Sequence, residues 1–429
     1  MDNEMKRYTF LHFSDIHFNK QSDSIFSPDR DLRKEMLNDI EQVILKKELS
    51  PYGIIICGDI AFSGQENEYK IADEFLETLT GKLKIDYRHV FCVPGNHDVD
   101  QSVAKKFVSV YAVQKLLEEA DENEFQSYLV KLKEETEQQK VDLLYRALKG
   151  YNDFTGRYMG NVSSIEGPWT YPLELEDGYS LCLYGINSTI ISNADDHRKD
   201  DNGKEVLRKM RLGNHQIPSR ENKVIYMTIC HHPIQDWKED LGQVLDDRAM
   251  IQLFGHRHVQ TLEQNEKRVR IGTGALQPDR REEGWQPRYN FLEVCIEHSK
   301  LRVVLYPRIW NKDLHKFICE ESFCDSGKER KEIVLSLEHV ENFVPEGMAD
   351  INTSNIRETD DSKRELVYKL WSLQNHERES VLRQYHEFDG ICLNDLNQNI
   401  VKILNIAEES KLLQKILKDI GQRQTNINK

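Results

Sequence analysis

Short apolar runs alternate with longer stretches of helical spacing through much of the chain. YTFLHFS (8–14), GIIIC (53–57), HVFCV (89–93), LCLYG (181–185), VIYMTIC (224–230) and IQLF (251–254) are short and almost wholly apolar, which predicts buried strands. Between the early runs, 32–48 and 69–83 repeat apolar residues at helical spacing, and this alternation predicts an α/β core. The highly charged stretch 101–150 places Leu129 with Leu132, and Leu143, Leu144 with Leu148, on helical faces. It reads as a helical insertion at about 101–160. Beyond 290, YNFLEVCIE and LRVVLYPRI predict two more strands, with one or two others before 340.

The texture then changes twice. Residues 344–363 are polar and poor in apolar positions, which predicts a linker after a first domain of 1–343. From 364 the apolar residues Leu366, Leu370 and Leu373, then Val381, Leu382 and Tyr385, then Ile400, Ile403 and Leu404, then Leu413, Leu417 and Ile420 recur at helical spacing. Gly421 reads as the stop of the last helix. The segment 364–429 is thus a small all-α module whose stability in isolation is marginal.

Composition narrows the class. Hydrophobic residues make up 38% of 429, enough to bury a core and against wholesale disorder. No apolar run approaches the roughly 18 residues of a membrane helix, and the first ten residues lack the apolar core of a secretory signal. The eight cysteines are scattered without a C-x-x-C pair, which predicts buried thiols in a reducing, cytoplasmic setting. The net charge of −15 disfavours tight, non-specific binding of a nucleic-acid backbone.

Five polar clusters end five apolar runs: Ser14-Asp15-Ile16-His17, Gly58-Asp59, Gly95-Asn96-His97-Asp98, His231-His232-Pro233 and Gly255-His256-Arg257-His258. Ligands of open α/β sheets gather beyond the carboxyl ends of strands, so these clusters are expected on one rim. Carboxylate, amide oxygen and imidazole suit divalent manganese, iron or zinc. Two such ions about 3.5–4 Å apart can share a hydroxide and steady both the attacking and the leaving oxygen at phosphorus.

In this order, SDIH, CGDI, PGNHD, CHHP and FGHRH, the chain resembles the calcineurin-like metallophosphoesterases over about 6–310. GDIAFSGQENEY, VPGNHD and HHP are most similar to the bacterial branch related to class III cyclic-nucleotide phosphodiesterases. The resemblance implies a four-layer α/β/β/α sandwich and a two-metal hydrolytic centre. Asp15, His17 and His258 would hold one ion, Asp59 would bridge, and Asn96, His231 and His256 would hold the second. His97 would sit beside the scissile phosphate as a catalytic group, with Asp98 orienting its imidazole. His232 is the alternative to His231.

Other residues carry blander readings. Gly213-Asn214-His215 follows a basic segment and reads as a surface turn, His12 as a packed imidazole, and the acidic run 118–124 as a solvated face without the glycine and oxygen spacing of a calcium loop. Arg280-Arg281 reads as a surface pair with the option of binding phosphate. The substrate implied is a phosphodiester in a nucleotide or similar small molecule, with a nuclease as the alternative. The segment 364–429 loosely resembles helical effector-associated modules, so it is expected to recruit a protein partner or to pair two copies.

Overall fold

The computed structural model describes residues 6–20, 22, 24, 27, 29–139, 142–158, 167–197, 208–278, 285–341, 366, 369–370, 375–388 and 396–427. The linker expected at 344–363 and the pair Arg280-Arg281 lie outside them. The chain falls into two compact units, one of residues 1–151 with 163–345 and the other of 152–162 with 346–429.

The first unit is built on two sheets. One has the order β12-β11-β10-β1-β2-β3, with β13 also pairing with β11. Its members are β1 (Arg7–Phe13), β2 (Pro51–Ile56), β3 (Val90–Cys92), β10 (Arg288–Glu297), β11 (Lys300–Asn311), β12 (Lys316–Cys319) and β13 (Lys331–Ser336). β1, β2 and β3 run parallel, with Phe10 opposite Gly53 and Ile54 opposite Val90, whereas β10 joins β1 antiparallel. The other sheet has the order β4-β5-β6-β7-β9-β8. It comprises β4 (Trp169–Glu174), β5 (Ser180–Ile186), β6 (Val224–Cys230), β7 (Ala249–Phe254), β8 (Thr261–Gln264) and β9 (Val269–Gly272), of which β5, β6 and β7 are parallel. Parallel strands are covered on both faces, which is why they read as continuous apolar runs. Ile54, Ile55, Phe91, Leu253 and Ile229 are accordingly fully buried. Aromatic contacts join the sheets: Phe91 meets Tyr171 at 5.0 Å between rings, and the Tyr52 and Tyr171 hydroxyls lie 2.8 Å apart.

Helices α1 (Asp29–Lys47) and α2 (Glu66–Leu83) are the connections between β1, β2 and β3. The charged stretch after β3 forms α3 (Gln101–Lys106), α4 (Val108–Glu119), α5 (Glu122–Gln139) and α6 (Lys149–Thr155). α4 is tied to the loop after β5 by buried bonds: the Gln114 amide donates to the Ser192 carbonyl, and Asn193 donates back to Gln114, each at 2.9 Å. The reading of 118–124 as a solvated face does not extend to Glu118, which accepts two bonds from the buried Arg208 guanidinium at 3.0 and 2.8 Å and one from Lys115. Arg208 is remote in sequence, so nothing local announced it. Burial pushes the Glu118 carboxyl up, but Arg208 and Lys115 outweigh it and hold it at about 2. The folded chain therefore binds this proton less readily than the unfolded chain does. The resulting stability is present above the ordinary value of 4.5 and is lost as pH falls toward 2. Glu118→Gln is expected to lower the denaturation midpoint most at pH 7, by less than half as much at pH 3, and hardly at all near pH 2, as denaturant titrations across this range would measure. α7 (Gly242–Arg248) and α8 (Glu338–Glu341) also belong to this unit.

In the second unit, α9 (Asn375–Leu382), α10 (Leu396–Glu409) and α11 (Leu413–Ile427) contribute to a core that includes Leu366, Leu370, Val381, Phe388, Ile403, Ile416 and Ile420. α11 runs through Gly421 instead of stopping there. A glycine inside a helix costs about 1 kcal/mol relative to alanine, which neighbouring turns can absorb.

Candidate metal centre

The five motif segments leave the carboxyl ends of β1, β2, β3, β6 and β7. Backbone bonds then lash these ends together. The Ile16 and His17 amides donate to the Asp59 carbonyl at 2.8 and 3.0 Å, and Gly255 donates to the His231 carbonyl at 3.0 Å. The His256 amide reaches across to the Asp15 carboxylate at 3.1 Å, joining segments from both sheets. Asp15, His17, Asp59, His256 and His258 all have φ between 52° and 69°, in the left-handed region that non-glycine residues rarely adopt. Such conformations cost of order 1–3 kcal/mol each and persist where surrounding bonds hold them.

The side chains converge in linked groups. His258 Nε2 lies 3.2 Å from Asp15 Oδ1, His17 Nε2 lies 4.0 Å from the same oxygen, and the two imidazole nitrogens face each other at 3.4 Å. His231 Nε2 lies 3.3 Å from Asp59 Oδ2 and 3.1 Å from Asn96 Oδ1. The other nitrogen of His231 is 2.7 Å from the Cys57 carbonyl, so that Nδ1–H donates there and Nε2 turns to the cluster. Asp15, Asp59 and His231 form one group of ligand atoms within 4.8 Å of one another, and His231, His232 and His256 form another. His232 differs from His231: its Nδ1 faces Ser188 Oγ at 2.8 Å, and its ring lies 4.5 Å from that of His256.

Electrostatics favour cations here. Burial pushes Asp15 up, but the hydrogen bond and charge of His258 outweigh it and bring the carboxyl to about 2. Burial likewise raises Asp59, and His231 and His97 hold it well below the usual range. Burial lowers His17 to about 4 and His256 to about 3, so both imidazoles are neutral near pH 7 and able to ligate. Burial also pulls His231 down, yet Asp59 beside it outweighs this and lifts it to about 9. His17 Nδ1 and His232 Nε2 are buried without a hydrogen-bond partner. Buried polar atoms are normally paired, and carboxylates and imidazoles gathered this closely fit divalent ions.

His97 Nδ1 lies 2.8 Å from the Phe62 carbonyl, which orients the ring. The Asp98 carboxylate accepts from the backbone of Ile60, Ala61 and Gly95 and from the Tyr69 hydroxyl. Through these bonds Asp98 braces the loops on which Asp59 and His97 sit. The six residues after β2 cannot disclose that a carbonyl at 62 will fold back onto residue 97. His12 lies 3.2 Å from the Cys57 thiol, buried behind the cluster. Asn214 and His215 lie in a short turn, where Asn214 donates to Glu122 at 2.6 Å.

Two sheets with a histidine–carboxylate cluster on their common rim have the build of a metal-dependent phosphoesterase. Residues 8–265 match the family model described as calcineurin-like phosphoesterase, and the chain belongs to that family. No curated protein matches the sequence. Among solved structures, the fold is similar to a conserved Streptococcus pneumoniae protein predicted to be a phosphoesterase, at 13% identity over 77% of this chain and 99% of that one, with a TM-score of 0.29. Similarity extends to wild-type Vps29 of Entamoeba histolytica, at 10% identity over 76% and 98% of the two chains and a TM-score of 0.29. It also extends to the 5'-nucleotidase of Candida albicans, at 13% identity over 86% of this chain but only 60% of that one, with a TM-score of 0.33.

Proposed function

We propose that this chain is a two-metal phosphohydrolase acting on a phosphodiester in a nucleotide or similar small molecule. The observation that carries the reading is the cluster of buried acceptors around Asp15 and Asp59, where imidazole nitrogens and carboxylate oxygens face one another at 3.2–4.0 Å. Asp15, His17 and His258 would hold one divalent ion, Asn96, His231 and His256 the other, and Asp59 both. Manganese, iron and zinc all suit this donor set. His231 is favoured over His232 because its Nε2 faces Asp59 and Asn96. When bound, the ions supply a deprotonated water and offset the charge on the phosphoryl oxygens. His97, donating from Nδ1 to the Phe62 carbonyl, presents Nε2 as the atom that hands a proton to the leaving oxygen as its bond to phosphorus breaks. Asp98 holds the loops that carry His97 and Asp59.

The finer architecture belongs to the same reading: a four-layer sandwich for the first unit, and a helical module at 364–429 that recruits a protein partner or a second copy. The core that α9, α10 and α11 share supports the module. No described helix is long and apolar enough to cross a membrane. The described cysteines, all free, favour a reducing compartment such as the cytoplasm. Purified protein with manganese is expected to cleave a chromogenic bis-phosphodiester and at least one member of a panel of cyclic nucleotides, dinucleotides, nucleoside monophosphates and single-stranded DNA. Inactivity against every member, in a sample shown by metal analysis to hold two ions, would refute the proposal. Turnover of DNA alone would make it a nuclease.

A further inference from the structure

A cavity of about 320 Å³ opens beside His97, lined among others by Phe62, Gln65, Asp100, Gln101 and Ser102. This volume is at the lower end of the ~300–1,000 Å³ of small-ligand pockets, so it suits one compact group. Phe62 forms its apolar wall. The ring is 51% exposed, and it lies 5.5 Å from the His97 ring and 6.3 Å from that of His17. An aromatic face thus stands at the edge of the cluster, next to the imidazole assigned to the leaving oxygen. The other described residues that line it are Ser63, Gln65, His97, Asp100, Gln101 and Ser102, none of them lysine or arginine. One Asp100 oxygen accepts from the Ser102 amide at 2.9 Å. A second phosphate would find no lysine or arginine among the described lining residues and would meet the negative charge of Asp100.

We infer that this cavity takes the nucleoside attached to the leaving oxygen, with Phe62 stacking on the base. The inference rests on the phosphohydrolase reading of the adjoining cluster and adds to it where the uncharged part of the substrate lies. A base offers a planar π-face to Phe62, and base–aromatic stacking tolerates any base. Gln101 carries a donor and an acceptor in its amide group, Gln65 spends one amide hydrogen on the Ser63 carbonyl at 3.1 Å and keeps the other, and Asp100 accepts only. That combination matches a heterocycle edge together with ribose hydroxyls. An aliphatic alcohol would leave the phenyl face and most of these groups without partners.

Two measurements on the full chain test this. Calorimetric titration with adenosine, guanosine, cytidine and uridine, none of which carries phosphate, reads the cavity without requiring turnover. At least one nucleoside is expected to bind, about tenfold or more weakly to Phe62→Ala and with near wild-type affinity to Phe62→Trp. Gln101→Ala, on the opposite side of the assignment, should weaken the same nucleoside without touching the aromatic wall. No binding at millimolar nucleoside, or equal binding by wild type and Phe62→Ala, overturns the inference even if the protein proves to be an active phosphohydrolase. The second measurement is the ratio of kcat/KM for a nucleotide ester to that for an alkyl phosphoester of the same ester type. Phe62→Ala is expected to lower this ratio about tenfold. A constant ratio, with both substrates slowed alike, would make Phe62 only a prop for His97 and would likewise overturn it. Absence of turnover on every phosphoester would instead strike the proposed function, leaving the nucleoside titration to decide the cavity.

Discussion

Asp59→Asn is expected to reduce turnover at least a thousandfold, about 4 kcal/mol of lost transition-state stabilisation, while leaving the chain folded. Asp59 is 1% exposed and belongs to two of the groups of converging ligand atoms, one with Asp15 and His231 and one with His17 and His97. Its Oδ1 accepts the His97 amide at 2.8 Å, and its Oδ2 faces His231 Nε2 at 3.3 Å. Asparagine preserves the shape and one acceptor oxygen, so the His97 amide keeps a partner and the loop keeps its course. What goes is the negative charge between the two proposed ion positions. Calorimetric manganese titration should therefore show weakened or missing binding of at least one ion. The thermal midpoint without metal should fall somewhat, because the charge that His231 and His97 stabilise is gone, and the metal-induced rise in midpoint should shrink. Wild-type turnover by this variant at limiting manganese would remove Asp59 from the centre and with it the two-ion assignment.

Where sequence reading succeeded, burial explains it. β1, β2, β6 and β7 are covered on both faces, so their side chains are apolar at nearly every position, and the run itself is the signal. β8 is missed because its four residues, TLEQ, are mostly exposed, and β4 because only alternate residues are buried. β9, at four residues, is as short and mixes Arg270 with its apolar positions. The site shows the same division. Glycine, histidine and carboxylate at strand ends were visible as letters, and parallel strands dictated that they leave on one side. The backbone geometry was not visible. Nothing in SDIH or GHRH announces that Asp15, His17, His256 and His258 all adopt positive φ, since that conformation is imposed by bonds from distant segments. The same applies to Phe62, an apolar residue after a turn whose carbonyl meets a ring 35 positions later.

Gly95→Ala tests whether those distant bonds are as unyielding as they look, and it is expected to cost about 1–3 kcal/mol of stability together with at least a hundredfold in turnover. The reason is not conformational, because Gly95 has a φ of −103° that alanine adopts freely. The added methyl would instead be driven into the Asp59 carboxylate and backbone nitrogen. Asp59 cannot easily retreat: it is held at a φ of 54°, and its carbonyl accepts the amides of Ile16 and His17. Relieving the clash must shift either the Asp59 carboxylate or the loop after β1 that carries Asp15 and His17, and a displacement near 1 Å suffices for a large loss in rate. Gly81→Ala provides the contrast within the same chain. It lies in α2 with nothing within 4 Å of an added methyl, so alanine there should raise stability by about 0.5–1 kcal/mol and leave kcat/KM alone. Denaturant melts and steady-state rates of the two variants together separate a rigid centre from a pliant one. If Gly95→Ala matched Gly81→Ala in both, the loops would be yielding to one another, and the close approach of β2 and β3 at their carboxyl ends would not be what fixes the ligands in place.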